Sequence, residues 1–217
     1  LRIGMFVDAP TGTPVDPEVQ AAVRSAGRRC EGMGHHVEEI ACPFEARAID
    51  DFLRYWGFVA WVQVATARQM MHRGFDRTKV EAWTGGLASY FLREKLATFA
   101  AIRRLRQLSR VFCDVMARGH DVLLSPTLAE PAPAIGYLAT DVYDVHFERV
   151  RAYAPFTAIY NAAGVPAISL PGGLGSAGLP IGVQLAAGHG DDRLVLELAR
   201  EMEIHPVAVA PARLSTS

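Results

Sequence analysis

The sequence predicts an α/β fold, a mixed β-sheet covered by helices and built as one domain over residues 1–217. Three observations support it: a strand–helix–strand pattern opens the chain, helical periodicity dominates the middle, and two short apolar runs flank a glycine-rich loop near the end. Half of the 217 residues are apolar and 21% are charged. A chain of this length buries about 70% of its unfolded surface, so a hydrophobic core can stabilise it.

The first 42 residues form a β-α-β pattern. Alternating apolar residues predict a strand over Arg2–Val7, and a weaker strand follows over His36–Ala41. Between them, Asp16 suits an N-cap, Pro17 suits the first helical position, and Gly34 suits the end of the helix. The helix between the two strands is long enough to be the crossover that parallel strands need, so the two strands are expected to pair in parallel.

Residues 45–118 predict a helical insertion with breaks near Gly74 and at Gly85–Gly86. The last helix of this insertion has apolar residues at helical spacing, namely Phe99, Ile102, Leu105, Leu108, Val111, Phe112 and Val115. Its arginines lie on the opposite side, which predicts a solvated and partly ion-paired face; they are Arg103, Arg104, Arg106, Arg110 and Arg118.

The remaining elements alternate between buried strands and helices. Residues 121–125 predict a central strand, and a proline-rich loop follows over 126–136. Residues 145–163 predict a helix interrupted at Pro155. Strands are expected over 167–170 and 179–187, around a loop at 172–178, and Asp191 or Asp192 is expected to cap the last helix. Residues 206–217 predict an irregular tail.

Composition argues against several classes of function. The formal net charge is −1, and no aromatic residues interleave with the arginines, so a nucleic-acid partner is not expected. No run reaches the roughly 18 apolar residues of a membrane span, and the start lacks a signal peptide pattern, so the expected location is the cytoplasm. Cys30, Cys42 and Cys113 are expected to be reduced, mostly packed thiols.

Two short motifs could indicate a cofactor or a metal. Residues 173–178 match the G-x-G-x-x-G pattern of dinucleotide sites, but a strand rather than a helix is expected after them, so no helix N-terminus would meet a phosphate. The seven histidines contain no pair at i and i+3 or i+4. We therefore expect neither a cofactor nor a metal.

Serine catalysis needs an activating base. The sequence has only two lysines, Lys79 and Lys95, and both lie in polar helical surroundings where a solvated side chain is expected. Ser125, Ser169 and Ser176 have no recognisable base nearby, and no G-x-S-x-G turn surrounds them. No residue of this chain is therefore predicted to be catalytic.

Several segments, taken in order, resemble the C-terminal half of the amidase signature family. They are residues 1–5, 15–19, 32–37, 121–127 (Asp-Val-Leu-Leu-Ser-Pro-Thr), 155–184 and 190–195 (Gly-Asp-Asp-Arg-Leu-Val). The chain is most similar to the general amidases and to the 6-aminohexanoate cyclic dimer hydrolase branch. The resemblance implies hydrolysis of non-peptide carboxamide C–N bonds through an acyl-enzyme, with a Ser, cis-Ser, Lys triad in the N-terminal half.

The resemblance also implies partners. They are a small-molecule amide substrate and the missing N-terminal half of the same protein, without which this polypeptide is expected to be inactive. Homo-oligomerisation stays open. Residue type and position indicate candidates for the wall of the substrate pocket: Ser125, Thr127, Thr157 and Asn161 as polar groups, Phe156 and Tyr160 as apolar wall, and Gln184. Helix capping, packing and backbone hydrogen bonds are the alternative roles for these residues.

A different class of function competes with the enzyme fragment. The chain could be a self-sufficient, non-catalytic α/β module that binds a small ligand. The glycine loop at 172–178 and the loop at 126–136 would then form the mouth of its site. An exposed apolar helix face or sheet edge would favour the fragment, because a severed half leaves uncovered the surface that met its partner.

Overall fold

The computed structural model describes residues 1–138 and 142–204 and confirms the mixed α/β fold. The strands are β1 (Arg2–Met5), β2 (His36–Glu39), β3 (Val122–Pro126), β4 (Ala167–Leu174) and β5 (Pro180–Ala187). The helices are α1 (Pro17–Gly32), α2 (Ala46–Met70), α3 (Ala82–Arg93), α4 (Lys95–Ala117), α5 (Tyr143–Tyr153), α6 (Thr157–Ala163) and α7 (Asp192–Ile204), with a 3₁₀ turn at Arg77–Lys79.

The sheet has the strand order β2-β1-β3-β5-β4. β1 pairs in parallel with β2 and with β3, whereas β5 runs antiparallel to both β3 and β4. The predicted β-α-β unit is confirmed, and α1 is its crossover. The Asp16 carboxylate accepts a hydrogen bond from the Glu18 N–H at 2.7 Å, and Pro17 is the first helical residue, so both N-terminal signals act as expected.

The hydrophobic core lies on both faces of β3 and β5. Val122, Leu123 and Leu124 are all fully buried, which confirms the central strand. One face is covered by α1 and α7, and Ala22 of α1 and Val183 of β5 both lie next to Gly172 of β4. The other face meets Tyr160 of α6, and α2 and α4 pack on α6 from outside.

The helical insertion differs from its sequence-based prediction at two places. Gly85 and Gly86 lie inside α3, and the break between helices falls at Glu94 instead. A Cβ atom on Gly86 would clash with the ring of Tyr143, so this glycine serves a close approach of α5 rather than a helix end. The break near Gly74 is confirmed, because α2 ends at Met70.

The predicted faces of the last insertion helix, α4, are only partly right. Leu105, Leu108, Phe112 and Val115 are buried, but Phe99 is 60% exposed and Val111 is 41% exposed. On the arginine face, Arg104 donates to both carboxylate oxygens of Asp51, at 2.6 and 2.5 Å.

The C-terminal hairpin is longer than predicted. β4 continues to Leu174 through an irregularity between Pro171 and Gly173, so the first part of the expected loop at 172–178 belongs to the strand. α7 begins at Asp192, so Asp191 occupies the capping position. The predicted tail at 206–217 lies outside the described residues. Within the described part of the chain, no helix combines the length and apolar character that crossing a bilayer requires.

Candidate substrate-pocket wall

A polar row crosses the three antiparallel strands of the sheet. Ser125 of β3 pairs in register with Gln184 of β5, which pairs in turn with Ser169 of β4. Directly opposed residues of neighbouring strands point to the same face, so these three side chains share one face. Leu124 and Leu185, one position away, point to the other face and are fully buried. Strand alternation thus places polar groups next to the core.

Ser125 is at the buried end of the row. It is fully buried, and its Oγ lies 3.0 Å from the hydroxyl oxygen of Tyr160, which is itself 2% exposed. Ser125 also donates to the carbonyl of Pro126 at 3.3 Å. The Tyr160 ring packs edge-on against Phe44 and Phe112. Burial raises the pKa of the Tyr160 phenol, which keeps it protonated as a hydrogen-bond donor.

Thr127 and Ser169 form a second hydroxyl pair where the row reaches the surface. Their oxygens are 2.8 Å apart; Ser169 is exposed and Thr127 is half-buried. Gly182 lies beneath this pair, since a Cβ atom there would be 2.9 Å from Thr127 Oγ1 and 3.2 Å from Ser169 Oγ. The missing side chain at Gly182 therefore leaves room for the two hydroxyls to meet.

Gln184 stands between the two hydroxyl pairs. Its side chain is 7% exposed, and its buried Oε1 has no hydrogen-bond partner among the described residues. Leaving such a group unpaired costs about 1–3 kcal/mol. The polar row therefore contains one open hydrogen-bonding position at its centre.

The other predicted wall residues lie apart from this row. Phe156 is 1% exposed and packs against the Phe6 ring at a centroid distance of 6.3 Å, so it belongs to the core. Thr157 is the half-buried first residue of α6. Asn161 is exposed and borders a separate cavity of about 320 Å³ together with Tyr55 and Arg106. The structure thus brings together Ser125, Thr127, Tyr160 and Gln184. Phe156, Thr157 and Asn161 share no hydrogen bond with these four among the described residues.

Ser169 was predicted only as a serine in a buried strand, not as part of the wall. Its exposure and its contact with Thr127 follow from the pairing of β4 with β5. Side-chain alternation alone places Ser169 and Pro171 on one face of their strand, but it does not say which strand lies opposite.

The hydroxyls of the row have no basic partner. Lys79 and Lys95 are both exposed, and among the described residues neither ammonium group hydrogen-bonds to a hydroxyl. The row hydroxyls instead pair with one another. A serine–histidine contact does occur elsewhere, where Ser109 Oγ lies 2.6 Å from Nε2 of His189 on the surface.

The glycine loop has the structure of a hairpin turn. The Gly175 N–H donates to the Leu179 carbonyl at 2.9 Å, and β5 follows directly, so the loop opens a strand and not a helix. The Glu18 carboxylate accepts the Ser176 N–H at 3.0 and 3.1 Å, and hydrogen bonding with Ser176, first its side chain and then its backbone, lowers the pKa of Glu18. The strand predicted to follow the loop is confirmed, whereas a G-x-G-x-x-G dinucleotide site requires a helix at this point.

Comparison with known proteins identifies the class of protein to which this chain belongs. The family model described as amidase matches residues 1–196. The chain belongs to the amidase signature family, as its resemblance predicted.

Two relatives and one solved structure illustrate the match. AmiC of Mycobacterium tuberculosis, named as an amidase, is 40% identical over 188 residues, which are 86% of this chain and 40% of that protein. The 6-aminohexanoate-cyclic-dimer hydrolase of Pseudomonas sp. strain NK87 is 32% identical over 220 residues, covering 94% of this chain and 43% of that protein. The structure of 6-aminohexanoate cyclic dimer hydrolase superposes with a TM-score of 0.78 at 28% identity, covering 94% of this chain and 45% of that one.

The extent of these matches matters for function. The chain spans less than half of the length of the relatives that it matches. The fold and the family are therefore established for this chain, whereas the activity of a whole amidase belongs to the proposal below.

Proposed function

We propose that this chain is the C-terminal part of an amidase that hydrolyses non-peptide carboxamide C–N bonds through an acyl-enzyme. In this proposal the chain supplies scaffold and one wall of the substrate pocket, and is inactive alone. The nucleophile, its base and the oxyanion donors come from the N-terminal half. The cytoplasmic location stays a prediction.

The observation that carries the proposal is the pairing within the polar row. An attacking serine needs a base that removes its proton, and in Ser/Lys enzymes this base is a desolvated lysine. Here Ser125 meets Tyr160, and Thr127 meets Ser169, while both lysines are exposed to solvent. The row can therefore shape a pocket and donate or accept hydrogen bonds, but it has no group that generates an alkoxide.

The open side of the sheet supports a missing partner. β4 is the last strand of the described sheet, and on the face that carries the polar row its residues Ala167, Ser169 and Pro171 are exposed. An uncovered edge strand offers its backbone groups for pairing with further chain. α4 also exposes large apolar side chains, with Leu96 at 87% and Phe99 at 60%. These features favour the fragment over the self-sufficient binding module.

The proposed chemistry divides between the two halves. A hydroxyl of the N-terminal half attacks the amide carbonyl carbon, the C–N bond breaks, and the amine leaves with a proton from the triad. Water then hydrolyses the ester and releases the acid. The role of this chain is to hold the amide beside that hydroxyl. The Gln184 oxygen, buried and unpaired in this chain, would accept the amide N–H once the side chain turns into the pocket.

The test compares this chain alone with the chain joined to its N-terminal half. Each protein is incubated with a fluorophosphonate probe and assayed on simple aliphatic and aryl amides. We expect labelling and amine release only from the joined protein. Labelling of the chain alone would contradict the proposal, as would a joined protein that folds but releases no amine from any amide.

The wall role is tested by Gln184→Leu in the joined protein. Removing one hydrogen bond to substrate should lower kcat/KM by up to about tenfold, while the stability of the chain is unchanged or raised because an unpaired buried group is removed. Ser109→Ala removes a surface hydroxyl contact and serves as the control with unchanged kinetics. An unchanged kcat/KM in Gln184→Leu would exclude this residue from the pocket.

A further inference from the structure

A second site candidate lies in the helical insertion, away from the polar row. An open cavity of about 570 Å³ is lined by the C-terminal end of α2, the segment with the 3₁₀ turn, and the start of α3. This volume falls within the roughly 300–1,000 Å³ typical of small-molecule sites. None of the residues that line it belongs to the polar row, so the cavity requires its own explanation.

The wall of this cavity is mainly apolar and adaptable. Val62 and Val80 line it from opposite segments, and Phe75 contributes an aromatic ring. Met70 and Met71 also line it, although they are 78% and 74% exposed. Unbranched methionine side chains adjust to ligands of different shape and are common on binding surfaces. Such a wall suits a hydrocarbon or aryl body better than a polar ligand.

One cation stands at this apolar wall. Of the described residues that line the cavity, Lys79 alone carries a charge, and its ammonium group has no hydrogen bond or ion pair with any of the described residues. Two neighbouring charged groups are engaged elsewhere. Asp76 accepts from the Thr78 N–H and hydroxyl at 2.9 and 2.7 Å, and Arg77 donates to the Ala65 carbonyl at 2.8 Å.

We infer that this cavity binds an amphipathic monocarboxylate, with its hydrocarbon body on the apolar wall and its carboxylate on Lys79. The wall removes apolar ligand surface from water, which supplies most of the affinity. The free ammonium group selects an anion over a neutral or cationic head group by charge complementarity. The inference is independent of amide hydrolysis, because it concerns binding to a different part of the chain.

The test is calorimetric titration of the chain with decanoate, decanol and decyltrimethylammonium at one ionic strength. We expect saturable binding of decanoate, weaker binding of decanol, and the weakest binding of the cation. Lys79→Gln should weaken decanoate binding by about twofold to fivefold, as expected for an exposed ion pair, and leave decanol unchanged. Lys95→Gln removes the other exposed lysine and should change neither.

Filling the cavity gives a second measurement. Val80→Trp should abolish decanoate binding, and Thr84→Trp blocks the cavity from α3 if the first variant does not fold, with circular dichroism as the check. No saturable binding to the unmodified chain, equal binding of decanoate and the cation, or unchanged binding in the filled variant would each overturn the inference. Amide hydrolysis by the joined protein is measured separately, so failure of one proposal is not failure of the other.

Discussion

Leu124 and Leu96 are the same residue type in two regions of this molecule, yet the first is fully buried and the second is 87% exposed. Leu124 lies in β3, where helices cover both faces of the strand. Leu96 lies at the start of α4 in the helical insertion, where Phe99 and Leu92 are also exposed. The sheet region completes its own core, whereas the insertion leaves apolar surface uncovered.

This difference shows that the sheet region and the helical insertion have different structural roles. The sheet and its covering helices bury enough apolar surface to stabilise the fold and to hold the polar row in position. The insertion packs through pairs of aromatic rings that range from exposed to buried, such as Trp56 against Trp83 at 5.6 Å and Trp61 against Phe91 at 5.1 Å. Its uncovered apolar residues are therefore available to the proposed N-terminal half or to a ligand.

Leu124→Ala and Leu96→Ala test the comparison most directly. A fully buried leucine costs about 3–4 kcal/mol of unfolding free energy when truncated, since the surrounding strands cannot collapse into the cavity. An exposed leucine should change the unfolding free energy by less than about 0.5 kcal/mol. Urea denaturation of the two variants measures the contrast. Similar losses in both would mean that the surface of α4 is covered in solution.

Asp51→Ala tests how the insertion is held together. Asp51 is 2% exposed and accepts two hydrogen bonds from Arg104, and Arg54 lies 3.7 Å away. Breaking a buried pair leaves a charge unpaired, which should cost about 3 kcal/mol, the lower end of the usual range because the Arg104 side chain is 33% exposed.

Glu197→Ala is the matched control for this pair. It removes an exposed ion pair with Arg193 on α7 and should cost less than about 1 kcal/mol. Thermal and urea unfolding of both variants measure the two losses of unfolding free energy. If Asp51→Ala were as mild as Glu197→Ala, the buried pair would not hold α2 and α4 together.

Gly86→Ala and Gly85→Ala compare a packed glycine of α3 with an unpacked one. A Cβ atom on Gly86 would clash with the Tyr143 ring, so alanine should cost about 1–3 kcal/mol and loosen the contact with α5. Gly85 has no neighbour within 4 Å of a Cβ position, so alanine there should stabilise α3 by up to about 1 kcal/mol. Differential scanning calorimetry of the pair tests this. Equal effects would show that α5 does not approach α3 closely.

Much of the fold could be predicted because its signals are local. The cap at Asp16, the continuous apolar run at Val122–Leu124 and the interruption at Pro155 depend on neighbouring residues, and all three are found as expected. The break expected at Gly85–Gly86 was wrong because that expectation treated glycine as a helix end. In the structure Gly86 admits the ring of Tyr143, which is far away in sequence.

The candidate wall residues, like the fold, were predicted only in part. Ser125, Thr127, Tyr160 and Gln184 were predicted from residue type and position, but their hydroxyl pairs and the open Gln184 oxygen depend on strand register. Ser169 joined them only through the antiparallel pairing of β4 with β5. A shift of one residue in that register would turn Ser169 to the other face.

The sequence by itself determined the α/β class, the β-α-β unit and the family, because each depends on short segments or on composition. Only the tertiary structure decided which polar side chains share a face, which lysine stands at an apolar cavity, and which apolar residues stay uncovered. These follow from contacts between residues far apart in the chain, where packing and strand register, not local preference, determine the outcome.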